Sequence, residues 1–120
     1  MSDPFTTREQ GLYAEALVLE HLQSKGLTLL TRNYLTKMGE IDLIMQEGET
    51  LVFVEVRARE CFKEIHPFET VTKDKQARII KTAKHFLWVN DCLDTCLCRF
   101  DVVAVNLATN EMEWLEGAFY

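Results

Sequence analysis

The sequence has no internal repeat, no low-complexity tract and no linker-like segment among its 120 residues. It reads as a single domain, residues 1–120, long enough to bury a core. Long apolar runs are missing as well. No uninterrupted stretch reaches the length that spans a bilayer, and the polar start, Met1 to Gln10, lacks the apolar segment of a secretion signal. The expectation is a cytoplasmic protein with no membrane contact. Positive charge is scarce. Thirteen Lys and Arg face 19 Asp and Glu, a net charge of -6 and a pI near 5.0. That balance argues against a general nucleic-acid coating protein, which would be basic, but leaves room for a local basic patch. The four cysteines include no CxxC pair, and no His follows them at finger spacing. Cys61 stands alone, while Cys92, Cys96 and Cys98 cluster. Free thiols in a reduced compartment fit this better than a metal site or a disulfide.

What is present concentrates between Gly39 and Arg59, GEIDLIMQEGETLVFVEVRAR. Ile41, Leu43 and Met45 alternate with Asp42, Ile44 and Gln46. After Glu47-Gly48-Glu49-Thr50, Leu51, Phe53, Glu55 and Arg57 alternate with Val52, Val54 and Val56. Period two with a Gly-containing polar break predicts a hairpin. Period two also puts Glu55 and Arg57 on one face of the second strand. If Asp42 points to that face, two carboxylates and a cation converge on an otherwise apolar sheet. Such carboxylates must be paired, hydrogen-bonded or bound to a metal, and hard oxygen donors suit Mg²⁺ or Mn²⁺. The plainer alternative is a solvated sheet face.

Upstream, a helix is expected from about Arg8 to Lys25, capped by Thr6 or Thr7 and stopped at Gly26. Its apolar positions include Leu12, Val18, Leu19 and Leu22. Glu15 precedes the last three by three, four and seven residues and so falls inside the stripe. It is either a carboxylate facing the sheet or a residue at the edge of a narrower stripe. Leu27 to Tyr34 predicts a strand and loop, with Asn33 and Tyr34 turning the chain into the hairpin. Arg32 and Lys37 flank the Asp42 strand and are either phosphate contacts or plain surface charge.

Glu60 to Thr70 reads as a loop anchored by Phe62 and Phe68, with His66-Pro67 as a breaker. Thr72 caps a second helix, from about Lys73 to Val89, with Ile79, Ile80, Ala83, Phe86 and Leu87 on its apolar face. Lys75, Arg78, Lys81 and Lys84 recur every three residues on the other side. They suit a phosphate backbone, or simply a solvated helix face. Lys75 lies at the border of the apolar stripe, where it can lean toward the sheet. Leu97 to Asn106 predicts a strand with Asp101 at its centre, and Glu111 to Leu115 a short last strand. The order α-β-β-β-α-β with a β tail implies a mixed sheet flanked by helices.

These residues resemble the PD-(D/E)xK, restriction-endonuclease-like superfamily, and within it the small bacterial YraN-like family, related to archaeal Holliday junction resolvases. The likeness is carried by Gly11, Glu15 and Ala16, by Asn33, by Gly39-Glu40-Ile41-Asp42-Leu43-Ile44, by Phe53-Val54-Glu55-Val56, by Val71-Thr72, Lys75 and Arg78-Ile79, and by Arg99-Phe100-Asp101-Val102-Val103. It covers nearly the whole chain. It implies an α/β fold with a restriction-endonuclease-like αβββαβ core. It also implies a metal-dependent endonuclease acting on DNA, with branched DNA as a candidate substrate. Asp42 and Glu55 would be metal ligands with the Val56 carbonyl as a third, and Glu15 would stand near the metal, directly or through water. The cofactor would be Mg²⁺ or Mn²⁺. Lys75, Arg78, Lys81 and Lys84 would meet nucleic acid, and a junction enzyme would work as a homodimer. The main departure is Arg57, where the superfamily has lysine. Arginine keeps the charge but cannot serve as a general base. Ile41 stands where the motif has proline.

Overall fold

The computed structural model describes residues 6–60 and 66–120. The expectations for Cys61 and Phe62 lie outside the described residues. The elements, in order, are α1 (Thr7–Ser24), β1 (Thr28–Thr36), β2 (Gly39–Glu47), β3 (Thr50–Arg59), a 3₁₀ turn (Pro67–Thr70), α2 (Lys73–Val89), β4 (Leu97–Asn106) and β5 (Met112–Phe119). They build a five-stranded mixed sheet in the order β1-β2-β3-β4-β5. β3 and β4 run parallel and the other neighbours antiparallel. The parallel step follows from α2, since two parallel neighbours need a long crossover between them. Among the described residues, no helix is long and apolar enough to cross a membrane.

The helices begin where the sequence says they should. The Thr6 hydroxyl accepts the Glu9 N–H at 3.1 Å, and Thr72 accepts that of Lys75 at 3.3 Å. Each satisfies one amide that the first turn leaves without a partner. Gly26 ends the first helix with a φ of 97°, a conformation that only glycine adopts freely.

Two apolar layers cover the sheet. On one face, Ala14, Val18 and Leu22 of α1 pack with Leu43 and Met45 of β2, Val52 and Val54 of β3, and Val103 and Val105 of β4. On the other, Ile79, Ala83 and Leu87 of α2 pack with Ile41, Ile44, Leu51, Phe53, Phe100 and Val102. The alternation in β3 is regular. Leu51 and Phe53 face α2, so Glu55 and Arg57 continue that face. In β2 the alternation breaks. Leu43 faces α1, yet Ile41, two residues away, joins the α2 side. The chain slips phase at Asp42.

Three expectations are corrected. Leu12 is 43% exposed and outside the buried stripe of α1, which consists of Ala14, Glu15, Val18 and Leu22. Asn33 and Tyr34 do not turn the chain. β1 runs on to Thr36, and Asn33 sits inside it at a φ of 50°. Asparagine tolerates that left-handed conformation, so the strand continues through it, its register shift lying upstream between Leu29 and Thr31. The last strand is longer than Glu111 to Leu115, because Met112–Phe119 pairs along β4.

Candidate functional site

The phase slip at Asp42 opens the sheet. Cα pairing of β2 with β3 runs from Glu47↔Thr50 to Leu43↔Val54 and stops there. The next rung, Asp42 with Glu55, is missing. β1 skips the same place, its partners jumping from Arg32↔Leu43 to Tyr34↔Ile41. β3 still needs an acceptor for its Val56 N–H, and the Asp42 side chain supplies one. Asp42 Oδ2 accepts that amide at 2.8 Å. The carboxylate therefore replaces a lost backbone rung, and this fixes its place between the strands.

Glu55 lies across the gap, close enough that its charge opposes the ionisation of Asp42. Both are held well above the usual carboxylate range. Asp42 is pushed up to about 8, first by burial and then by the Glu55 charge. Glu55 is pushed up to about 7 by burial, against the pull of Arg57 and Lys75. Two acids forced together and away from water resist ionising together. A cation between them would remove that conflict.

The cations are at hand. Arg57 Nη1 lies 3.6 Å from Glu55 Oε1, and Arg57 Nε donates to Thr70 Oγ1 at 2.8 Å. The Thr70 hydroxyl in turn donates to the Pro67 carbonyl at 2.6 Å, so the 3₁₀ turn braces the guanidinium. Lys75 and Arg78 line a cavity of about 150 Å³ together with Gly39, Glu40, Glu55, Arg57 and Ile79.

Glu15 meets the site from the other side. It is buried at 9% exposure. With Asp42, Glu55 and Val56 it lines a cavity of about 220 Å³ under the start of α1. Burial raises its pKa, and the hydrogen bond from Asn33 pulls the other way. Asn33 Nδ2 donates to Glu15 Oε1 at 2.8 Å and to Glu40 Oε1 at 3.0 Å. The Asn33 amide thus positions Glu15. Read from the sequence, Asn33 is a turn residue and this role is hidden, as is that of Thr70. The available signal is an Asn inside a strand-like run. Among the described residues, no group of three or more His, Cys, Asp or Glu side chains is arranged to hold a metal ion. The site is a carboxyl pair with Glu15 nearby, rather than a closed three-carboxylate cage.

The basic residues of α2 do not act as one stripe. Lys75 and Arg78 border the carboxyl pair, whereas Lys81 is exposed and Lys84 lines a separate apolar cavity with Ile80, Leu87 and Phe100. Helical spacing explains the split, since steps of three residues drift about 60° per step around the axis. Two other polar features are structural. Asp101, wholly buried, accepts from Arg99 Nε at 3.1 and 3.2 Å, Trp114 Nε1 at 2.9 Å and the Gly117 N–H at 3.0 Å. Cys92, Cys96 and Cys98 are free thiols, and hydrogen bonding to Cys96 together with burial pushes Cys92 up to about 11. His66 caps the 3₁₀ turn through Nδ1 and contacts Glu113 through Nε2.

A family model described as an uncharacterised protein family, UPF0102, matches residues 14–105. The chain is 50% identical over 111 residues to a UPF0102 protein of Saccharophagus degradans, covering 92% of each. It is 45% identical over 112 residues to one of Coxiella burnetii, covering 93% of this chain and 92% of the relative. It is 41% identical over 113 residues to one of Legionella pneumophila, covering 94% and 96%.

Proposed function

We infer that this chain, which belongs to the uncharacterised protein family UPF0102, is a metal-dependent endonuclease-like protein acting on DNA phosphodiesters. The observation that carries the reading is the Asp42–Glu55 pair. It sits where the β2–β3 ladder stops, with Val56 N–H on Asp42 and Arg57 on Glu55. The αβββαβ order and the mixed sheet support the restriction-endonuclease-like relationship.

The donor set fits a hard divalent cation. Two carboxyls with raised pKa values gain from a counter-charge that releases their protons, and oxygen ligands select Mg²⁺ or Mn²⁺ over softer metals. Asp42 and Glu55 would hold it, with the Val56 carbonyl as a third ligand. When bound, the cation polarises the phosphodiester and makes attacking water more acidic. The chain's own groups do the rest. Arg57 is braced by Thr70 and Glu55, which leaves other guanidinium N–H groups to bind a phosphate oxygen and offset the charge that grows there. Lys75 and Arg78 line the wall that a phosphate would approach. Glu15, restrained by Asn33, is placed to orient water beside the pair. Two such sites would be needed to resolve a four-way junction, so a homodimer belongs to the same reading.

A second reading, a DNA-binding module without hydrolysis, is favoured by Arg57, which cannot take a proton from water. The acidic net charge of -6 favours a third, a protein-interaction scaffold. Cleavage of labelled four-way-junction, flapped and linear DNA with Mg²⁺ or Mn²⁺ separates them. Cleavage that disappears in Asp42→Ala supports the nuclease. Activity only in Arg57→Lys identifies a site complete except for its cation. Binding without cleavage in either protein moves the binding module to first place.

A further inference from the structure

Among the described residues, nothing in the fold requires glycine at position 11. Gly11 lies in the second turn of α1, inside the helix, where glycine is the weakest helix former after proline. It is not one of the glycines with positive φ, which are Gly26, Gly39, Gly48 and Gly117. Close packing does not demand it either. A Cβ added at Gly39 would lie 3.3 Å from Thr82 Oγ1, whereas one added at Gly11 would meet no atom of the described residues within 4 Å. The remaining use of such a glycine is to let a ligand come close to the backbone.

Gly11 borders the cavity of about 220 Å³ that reaches the carboxyl pair. It precedes Ala14 and Glu15 by three and four residues, so the three share one helix face, and all line that cavity. Five charged residues line it as well: Glu15, Asp42 and Glu55 against Arg57 and Arg59. With all of them ionised and no cation bound, the balance is one negative charge, which repels an anion. With a divalent cation on the pair, the balance is one positive charge, and two guanidiniums stand beside it. Guanidinium forks match phosphate oxygens. Arg59 Nη1 donates to the Ala58 carbonyl at 2.6 Å, which steadies the side chain and keeps other N–H groups for such a contact. The occupant that fits the loaded cavity is a phosphodiester.

We propose that Gly11 keeps the α1 wall of this cavity low, so that a backbone phosphodiester seats between α1 and β3 once a cation occupies the Asp42–Glu55 pair. The proposal rests on the cation reading above and names the residue that admits its substrate. The probe is dithymidine monophosphate, a single phosphodiester, with protein in excess of Mn²⁺. Electron paramagnetic resonance measures Mn²⁺ affinity, and phosphorus NMR relaxation measures how closely the phosphodiester approaches the bound ion. Wild type should bind Mn²⁺ tightly and relax the phosphorus signal strongly. Gly11→Leu should keep the Mn²⁺ affinity and lose about tenfold of the relaxation enhancement, the scale of one overfilled site. Gly11→Ala serves if the leucine variant does not fold. It should melt at higher urea than wild type, because it removes a glycine from a helix, and still relax phosphorus less than wild type does. Enhancement equal in wild type and the folded variants overturns the role of Gly11 and leaves the cation reading standing. Tight Mn²⁺ in wild type without any phosphorus enhancement does the same. A leucine variant that folds but loses Mn²⁺ affinity assigns the space to the water shell of the ion and overturns the proposal. Wild type without tight Mn²⁺ overturns both.

Discussion

Replacing Asp42 by asparagine should make the metal-free protein more stable, and increasingly so as the pH rises. Asp42 is held near 8 against an ordinary value of 3.8, and Glu55 near 7 against 4.5. A raised carboxyl pKa means that the folded state binds its proton more tightly than the unfolded state. Stability is then lost as pH climbs from the unfolded value toward the folded one, at about 1.4 kcal/mol per pH unit for each proton. The two acids face each other and titrate as a pair, so one proton is counted between pH 5.5 and 7.5. Two pH units would give about 3 kcal/mol; relaxation and water entry bring that to about 2 kcal/mol. The substituted amide would keep an oxygen for the Val56 N–H, so the rung that closes the β2–β3 gap survives. Urea melts in EDTA at pH 5.5 and 7.5, followed by fluorescence of Trp88 and Trp114, compare the two proteins. The advantage of Asp42→Asn should widen by about 2 kcal/mol between the two pH values. A gap that stays constant, or a variant less stable than wild type at pH 7.5, would refute the electrostatic account of the pair.

Other expectations follow from the same structure. Asp101→Ala should cost about 2–4 kcal/mol in a urea melt, because it takes the buried acceptor from the Trp114 indole and the Gly117 N–H, while Arg99 keeps Glu47. Asn33→Gly, which keeps the left-handed backbone at no steric cost, should change stability by no more than about 1 kcal/mol. It should nonetheless weaken Mn²⁺ binding several-fold in a titration, by releasing Glu15 from its place beside the pair. Lys75→Ala and Arg78→Ala should each lower DNA affinity and reduce the salt slope by about one in an anisotropy titration. Lys84→Ala, which faces a separate cavity, should do neither.

Much of this was legible in the residues. Alternation in Leu51 to Arg57 placed Glu55 and Arg57 on one face, and threonine caps with a terminal glycine set the helix limits within a residue or two. Glu15 was visible as a charge inside an apolar stripe, and it is buried. The phase slip at Asp42 was not visible. Strict period two assigns Ile41 and Leu43 to the same side, whereas the open rung sends them to opposite layers. The residue of β1 beside that gap, Asn33, enters the left-handed region, a tertiary arrangement that no local pattern announces. Thr70 as the brace of Arg57 was hidden for a similar reason, since the 3₁₀ turn meets β3 only in the folded chain. The even spacing of Lys75, Arg78, Lys81 and Lys84 suggested one track, but the helical drift divides it between two cavities.

The central claim, that Asp42 and Glu55 form a divalent-cation site, is tested most directly by Mn²⁺ binding to the free protein, followed by electron paramagnetic resonance. Wild type should bind one tight Mn²⁺ per chain and yield it to excess Mg²⁺, while Asp42→Asn and Glu55→Gln, both folded, should show no such site. Wild type without tight binding, or variants that bind as wild type does, would contradict the account.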